Sequence, residues 1–232
     1  MRFKVISFDA EGTLVTHRFS EYIWEEAIPC MYARKEGVST DEAKAYVRAE
    51  FSTIGEDRTE WYDITFWFDR FGLCDHEELL NAHRGKMAHY QEVEEVLRGL
   101  GKNHRLIVSS NSSREFLELE MDGIDGHFEK VFSAPSDFNR IKKNGVFYQE
   151  VCDILGIEPD EMIHVGDRWA DDFLAPRRIG IFSFHLDRKG EDENYESGKG
   201  EFTVRTLREF RTRVERSEED PSGELPTDAS SD

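Results

Sequence analysis

Asp9 and Glu11 stand two residues apart in Asp9-Ala10-Glu11-Gly12-Thr13, directly after the strand-like run Lys4-Val5-Ile6-Ser7-Phe8. A carboxylate in the place of Asp9 can attack phosphorus and form an aspartyl-phosphate. One in the place of Glu11 can protonate the leaving oxygen and then activate water, and the Glu11 main-chain carbonyl can ligate a metal. Gly12 permits the tight turn, and Thr13 is expected to hold it through its hydroxyl. Further on, Leu106-Ile107-Val108-Ser109 runs into Ser110-Asn111, a hydroxyl and an amide suited to the spread charge of a transferring phosphoryl group. The pair Lys142-Lys143 supplies positive charge for that group. Met162-Ile163-His164-Val165 then leads into Gly166-Asp167, with Asp171-Asp172 following. Asp167 and Asp172 can converge on one hard cation such as Mg²⁺, which takes a few carboxylates together with water and substrate oxygens. Asp171 is the rival to Asp172, since a charge there also suits a helix N-terminus. Gly166 allows close backbone approach.

These residues fall at the ends of apolar runs that alternate with helical patterns, the arrangement of a mostly parallel sheet. Strands are predicted at residues 4–8, 105–109, 130–133, 162–165 and 181–184, with a short edge strand at 202–204. Helices are predicted at about 92–100, 113–120, 145–155, 171–178 and 207–214. In doubly wound sheets ligands bind beyond the carboxyl ends of the strands, where Asp9, Ser110 and Asp167 would sit. From about 15 to 90 the pattern is helical: 20–35 with a kink at Pro29, 41–51 capped by Thr40, 58–71 ending at Gly72, and 75–83. This places a helical cap (15–90) over a core domain formed by 1–14 and 91–214. The apolar stretch from Trp61 to Arg70 is expected to pack the cap, with Trp61 and Trp67 also meeting substrate. Arg18, His17, Arg58, Arg70 and Arg168 are candidate recognisers of a substrate anion. His104, His127, His164 and His185 lack ligand spacing and are expected to be structural, with His164 directed away from the site.

The chain has 232 residues, a 38% apolar fraction and a net charge of −19. Such acidity argues against nucleic acid or an anionic membrane as partner. No apolar run reaches the roughly 20 residues of a membrane-spanning helix, and a strand begins at once, leaving no room for a signal peptide. A cytoplasmic protein is expected, with Cys30, Cys74 and Cys152 reduced. Residues 217–232 hold six acidic residues and no basic ones, so a disordered acidic tail is expected over 215–232.

The ordered set Asp9-Ala10-Glu11-Gly12-Thr13, Ser110-Asn111, a lysine ahead of a helix, and Gly166-Asp167 with Asp172 resembles the four motifs of the haloacid dehalogenase-like hydrolase superfamily. Counting back from the helix over 148–156 puts the family's lysine on Lys142. The resemblance spans about residues 3–210. It implies an α/β fold with a Rossmann-like parallel sheet, an inserted α-helical cap, and Mg²⁺ held by Asp9, the Glu11 carbonyl and Asp167, with Asp172 alongside. The activity it implies is hydrolysis of small phosphate monoesters, with Asp9, Glu11, Ser110 and Lys142 catalytic and Thr13, Asn111, Arg18, Trp61 and Trp67 toward the substrate. Phosphatases of the family ordinarily carry Asp where this chain has Glu11. That departure leaves an adjusted enzyme, a slow one, or a catalytically weak phosphate-binding protein. A phosphomutase shares the core chemistry. The dehalogenase branch carries an aromatic residue at this position and needs no metal, so the retained Asp167 and Asp172 speak against it. The substrate is expected to be a small phosphorylated metabolite, and the oligomeric state is not indicated.

Overall fold

The computed structural model describes residues 3–56, 58–141, 143–190 and 202–219. At its centre lies a six-stranded sheet in the order β3-β2-β1-β4-β5-β6, every neighbouring pair parallel. The strands are β1 (Val5–Phe8), β2 (Arg105–Ser110), β3 (Lys130–Ser133), β4 (Met162–Gly166), β5 (Phe182–Leu186) and β6 (Thr203–Val204). They match the predicted strands within one or two residues, and β6 takes the edge. The strand order reverses between β1 and β4, which makes a crevice at their carboxyl ends. Phe8 pairs with Val108 on one side and Val165 on the other. The chain therefore leaves three strands side by side, and the polar residues after each run emerge together.

Alternate residues of each strand serve opposite faces. Ile6, Phe8, Leu106, Val108, Ile163 and Val165 share a core with helices α6 (Val93–Leu100) and α11 (Leu207–Glu219). Val5, Ile107 and Met162 share another with α9 (Gly145–Leu155). By the same alternation Ser7, Ser109 and His164 fall on the α9 face, yet they are polar and buried. They satisfy one another in a row: Ser7 Oγ donates to Ser109 Oγ at 3.0 Å, and His164 Nδ1 lies 2.9 Å from Ser7 Oγ. Three more helices complete the layers: α7 (Arg114–Glu120), the short α8 (Ala134–Phe138), which the pattern did not predict, and α10 (Ala175–Arg177). The helix predicted over 171–178 is instead a π-helical turn, Trp169–Leu174, running into α10. Helix α11 continues to Glu219, so the start of the predicted tail is helical; residues 220–232 lie outside the described ones. Among the described residues no helix is long and apolar enough to cross a membrane.

Between β1 and β2 come α1 (Arg18–Tyr22), a π-helical turn (Ile23–Ala27), α2 (Ile28–Glu36), α3 (Thr40–Ile54), a 3₁₀ turn (Thr59–Tyr62), α4 (Ile64–Phe71) and α5 (His76–His83). The helix predicted over 20–35 with a kink at Pro29 is instead interrupted before the proline by this π turn, where the Ile28 N–H donates to the Ile23 carbonyl five residues back. Ser39 rather than Thr40 caps α3, in a reciprocal pair with Glu42. The helix predicted over 58–71 is divided at Asp63, whose carboxylate accepts the Thr65 and Phe66 N–H groups and opens α4. These helices share a core of Phe19, Ile23, Val47, Phe51, Trp67 and Phe71, and Phe116 of α7 joins it. The insertion is thus packed onto the end of the sheet where Asp9 emerges.

Candidate active site

Asn144 caps α9 by accepting the Phe147 N–H at 3.0 Å, which puts Lys143 immediately ahead of the helix. Its backbone N–H donates to Asn111 Oδ1 at 2.8 Å. Its ammonium, fully buried, lies 2.5 Å from both Asp9 Oδ1 and Asp172 Oδ1 and donates to the Ser109 carbonyl at 3.1 Å. The sequence reading placed this role on Lys142. That residue lies outside the described ones, and the geometry gives the position to Lys143. Two adjacent lysines are separated only by the helix start, which counting back from residue 148 set one position too early.

Asp9, Asp167 and Asp172 each offer an oxygen within 4.8 Å of the others. Asp172 is fixed from two sides: its Oδ2 accepts the Arg168 N–H at 2.9 Å, and its Oδ1 lies 3.1 Å from His164 Nε2. His164 therefore braces the site from beneath, contrary to the expectation that it points away. Tyr148 Oη is 3.1 Å from the same His164 nitrogen and donates to the Asp171 carbonyl. Asp171 itself is outside the trio. It accepts from the Asn111 amide at 3.1 Å and faces Arg168 at 3.4 Å. Glycine is required twice here. A Cβ on Gly166 would collide with the Asp172 carboxyl, and one on Gly12, at φ +82°, would collide with the Asp167 carboxylate.

Burial pushes the Asp9 carboxyl up to about 8; Lys143 opposes this, while Asp172 and Asp167 add to it. Burial alone would raise Asp172 too, but Lys143 and His164 more than offset it and hold that carboxyl well below the usual range. Lys143, whose burial favours the neutral amine, is kept firmly protonated by Asp172 and Asp9. Lys143 reaches two of the three carboxyl groups, and the buried Asp167 Oδ1 has no hydrogen-bond partner. Three converging hard oxygen donors, one of them unsatisfied, suit a divalent cation.

The Glu11 side chain is held by the insertion. Its carboxylate accepts a hydrogen bond from Ser20 Oγ of α1. His17 lies 3.6 Å from Glu11 and 3.4 Å from Asp167, and these neighbours raise its imidazole to about 10. The loop carrying Gly12 and Thr13 is held by backbone bonds, such as Gly12 N–H to the Val15 carbonyl and Leu14 N–H to the Ala10 carbonyl, each 2.7 Å. Thr13 does not hold it: its buried hydroxyl has no partner, and the residue does not line the cavity. Arg188, which the sequence reading passed over, grips the loop instead. Its guanidinium donates to the Gly12 and Thr13 carbonyls at 3.1 and 2.7 Å and pairs with Glu92 at 2.7 Å.

A cavity of about 370 Å³ opens above these groups. Asp9, Glu11, Ser110, Asn111 and Asp167 form its floor, and Trp61 and Trp67 are among the insertion residues in its wall. Ser110 Oγ accepts the Ser112 N–H at 3.0 Å. Of the proposed anion recognisers, His17 and Arg168 reach the cavity. Arg18 is exposed outside it, Arg58 pairs with Glu60, and Arg70 pairs with Glu50 and lies over Trp67.

A family model described as haloacid dehalogenase-like hydrolase matches residues 3–180. The chain is 27% identical to the structure of an HAD phosphatase from Thermococcus onnurineus, with a TM-score of 0.79 over 91% of this chain and 98% of that one. It is 24% identical to the GMP/IMP nucleotidase YrfG of Escherichia coli over 70% of this chain and 73% of the relative. It is 27% identical to an (S)-2-haloacid dehalogenase 4A of Burkholderia cepacia over 88% of this chain and 81% of the relative.

Proposed function

Because the chain belongs to the haloacid dehalogenase-like hydrolases, we propose that it hydrolyses small phosphate monoesters through an aspartyl-phosphate on Asp9. The observation that carries this reading is the meeting of Asp9, Asp167, Asp172 and Lys143 at the switch point of the sheet. A dehalogenase has no use for such a cation-seeking set, and the phosphatase relatives agree with the reading.

Asp9 attacks phosphorus, and the bond to the ester oxygen breaks as Glu11 gives that oxygen its proton. Glu11, now a carboxylate, takes a proton from water as the water attacks the aspartyl-phosphate. Phosphate leaves, and the carboxylate of Asp9 is restored. Ser110, the backbone about Asn111 and the Lys143 ammonium hold the phosphoryl oxygens. Asp9, Asp167 and the Glu11 carbonyl, with Asp172 in support, would hold Mg²⁺, which when bound neutralises charge on the phosphoryl group. The helices over 15–90 act as a cap that excludes water. Glutamate in place of aspartate is accommodated here by Ser20, which receives the longer arm.

Purified protein with Mg²⁺ should turn over p-nitrophenyl phosphate and members of a panel of sugar phosphates and nucleotides. Chelation should stop turnover, and Asp9→Asn should abolish it with the circular dichroism spectrum unchanged. Mg²⁺-dependent phosphate binding with no turnover of any ester would mean a binding protein instead.

A further inference from the structure

The cavity between Asp9 and the helical insertion has a wall composition that bears on the leaving group. Its far side is aromatic: Trp24, Phe51, Trp61, Trp67 and Phe116. Trp24 lies parallel to Phe116 at 5.6 Å and meets Phe51 edge-on at 5.7 Å, so its ring is fixed before any ligand arrives. Ser20 touches Glu11, and Trp24 follows it by four residues, about 6 Å along the helix. A flat group beside Trp24 therefore stands roughly a sugar's length from the oxygen that Glu11 would protonate.

The same helix adds Glu21 and Glu25 to the lining. Glu25 is held by Arg48 at 2.8 Å. The cations that reach the cavity are already faced by carboxylates: His17 by Glu11 and Asp167, and Arg168 by Asp171 and Glu56. A substrate with a second anionic group, such as a phosphorylated hydroxy acid, would be repelled chiefly by Glu21, since Glu25 is paired with Arg48. A neutral flat ring with N–H donors would stack on the aromatic wall and donate to those carboxylates.

Resting on the phosphate-monoester reading above, we propose that this cavity selects purine nucleoside monophosphates, with guanine as the best base. Guanine presents its ring N–H and exocyclic amine on one edge, a pair that one carboxylate accepts together. The wall takes the base, the sugar passes beneath Ser20, and the phosphate meets Asp9.

The test is steady-state kinetics on GMP, AMP, phosphoglycolate and glycerol phosphate, with Trp24→Leu, Trp24→Phe and Glu21→Gln/Glu25→Gln. GMP should exceed phosphoglycolate in kcat/KM. Trp24→Leu should lower the ratio of GMP to glycerol phosphate roughly 10- to 100-fold, the span of base stacking on one aromatic ring, and Trp24→Phe should restore most of it. The double glutamine variant should narrow the gap between GMP and phosphoglycolate. Equal or better use of phosphoglycolate by the wild type, or equal losses on every substrate in Trp24→Leu, would overturn the proposal. GMP binding to Asp9→Asn, read by tryptophan quenching, separates the two readings. Binding without turnover of any ester in the wild type sinks the hydrolase and keeps the pocket. Turnover of small esters with no GMP binding does the reverse.

Discussion

Lys143→Met removes the single ammonium that stands between two buried carboxylates. Lys143 and Asp172 are fully buried and Asp9 nearly so, with both ion pairs at 2.5 Å. Removing one partner of a buried pair costs about 3–5 kcal/mol, because the remaining charge is left uncompensated. Asp172 is left charged, while Asp9, already raised to about 8 with Lys143 opposing the rise, takes up a proton, so the range for one stranded carboxylate applies. A chain of this size shifts its Tm by about 2–4 °C per kcal/mol, which gives a fall of roughly 6–20 °C in the presence of chelator. Excess Mg²⁺ should recover more of the loss in the variant than it adds to the wild type, since the deficit of positive charge is one unit larger. The assay is thermal unfolding of both proteins by circular dichroism, with chelator and with Mg²⁺. A fall below about 3 °C, or a variant indifferent to Mg²⁺, would refute the assignment of Lys143 as the balancing charge.

Glu11→Asp shortens the arm by about 1 Å and withdraws the carboxylate from Ser20, so kcat should fall on the order of 100-fold. Ser20→Ala should lower kcat in the wild type but add little to Glu11→Asp, a non-additivity that a double-mutant cycle reads; additive losses would separate the two residues. In chelator, stability should decline as pH rises. Asp9 is raised to about 8 chiefly by burial, so its contribution is complete below the ordinary aspartate range and is lost as pH climbs through 8. His17, raised to about 10 by Asp167 and Glu11, contributes fully below the ordinary histidine value and loses that contribution through 10. A Tm in chelator that rises between pH 6 and 9 would contradict both signs. Arg188→Met frees the Gly12 and Thr13 carbonyls and strands buried Glu92, at about 3–5 kcal/mol, measurable by urea unfolding.

What was legible followed from short-range pattern. Apolar runs of four or five residues marked β1, β2 and β4, and parallel pairing then forced Asp9, Ser110 and Asp167 to one edge without further information. Gly72 and the turn at Gly12 were readable because glycine adopts their positive φ at the least cost. What was missed depends on the third dimension. His164 looked like one more residue of a buried strand, and its value lies in sharing a sheet face with Ser7 and a contact with Asp172. The choice between Lys142 and Lys143 turned on Asn144 as the α9 cap, a signal present in the sequence and given too little weight. Arg188 and Ser20 act across 176 and 9 positions respectively, beyond any local motif. Arg18 was misplaced because two steps along α1 turn a side chain to the other side of the helix, leaving Ser20 inside the cavity and Arg18 out.

If Asp9 is the nucleophile, the covalent intermediate can be trapped on it. Wild-type protein should be mixed with Mg²⁺ and a turned-over phosphate ester, quenched in acid within one turnover, digested, and its peptides weighed. A phosphate-sized gain is expected on the peptide containing Asp9, removed by hydroxylamine and absent from Asp9→Asn. Phosphate on another side chain, or turnover that survives in Asp9→Asn, would contradict it.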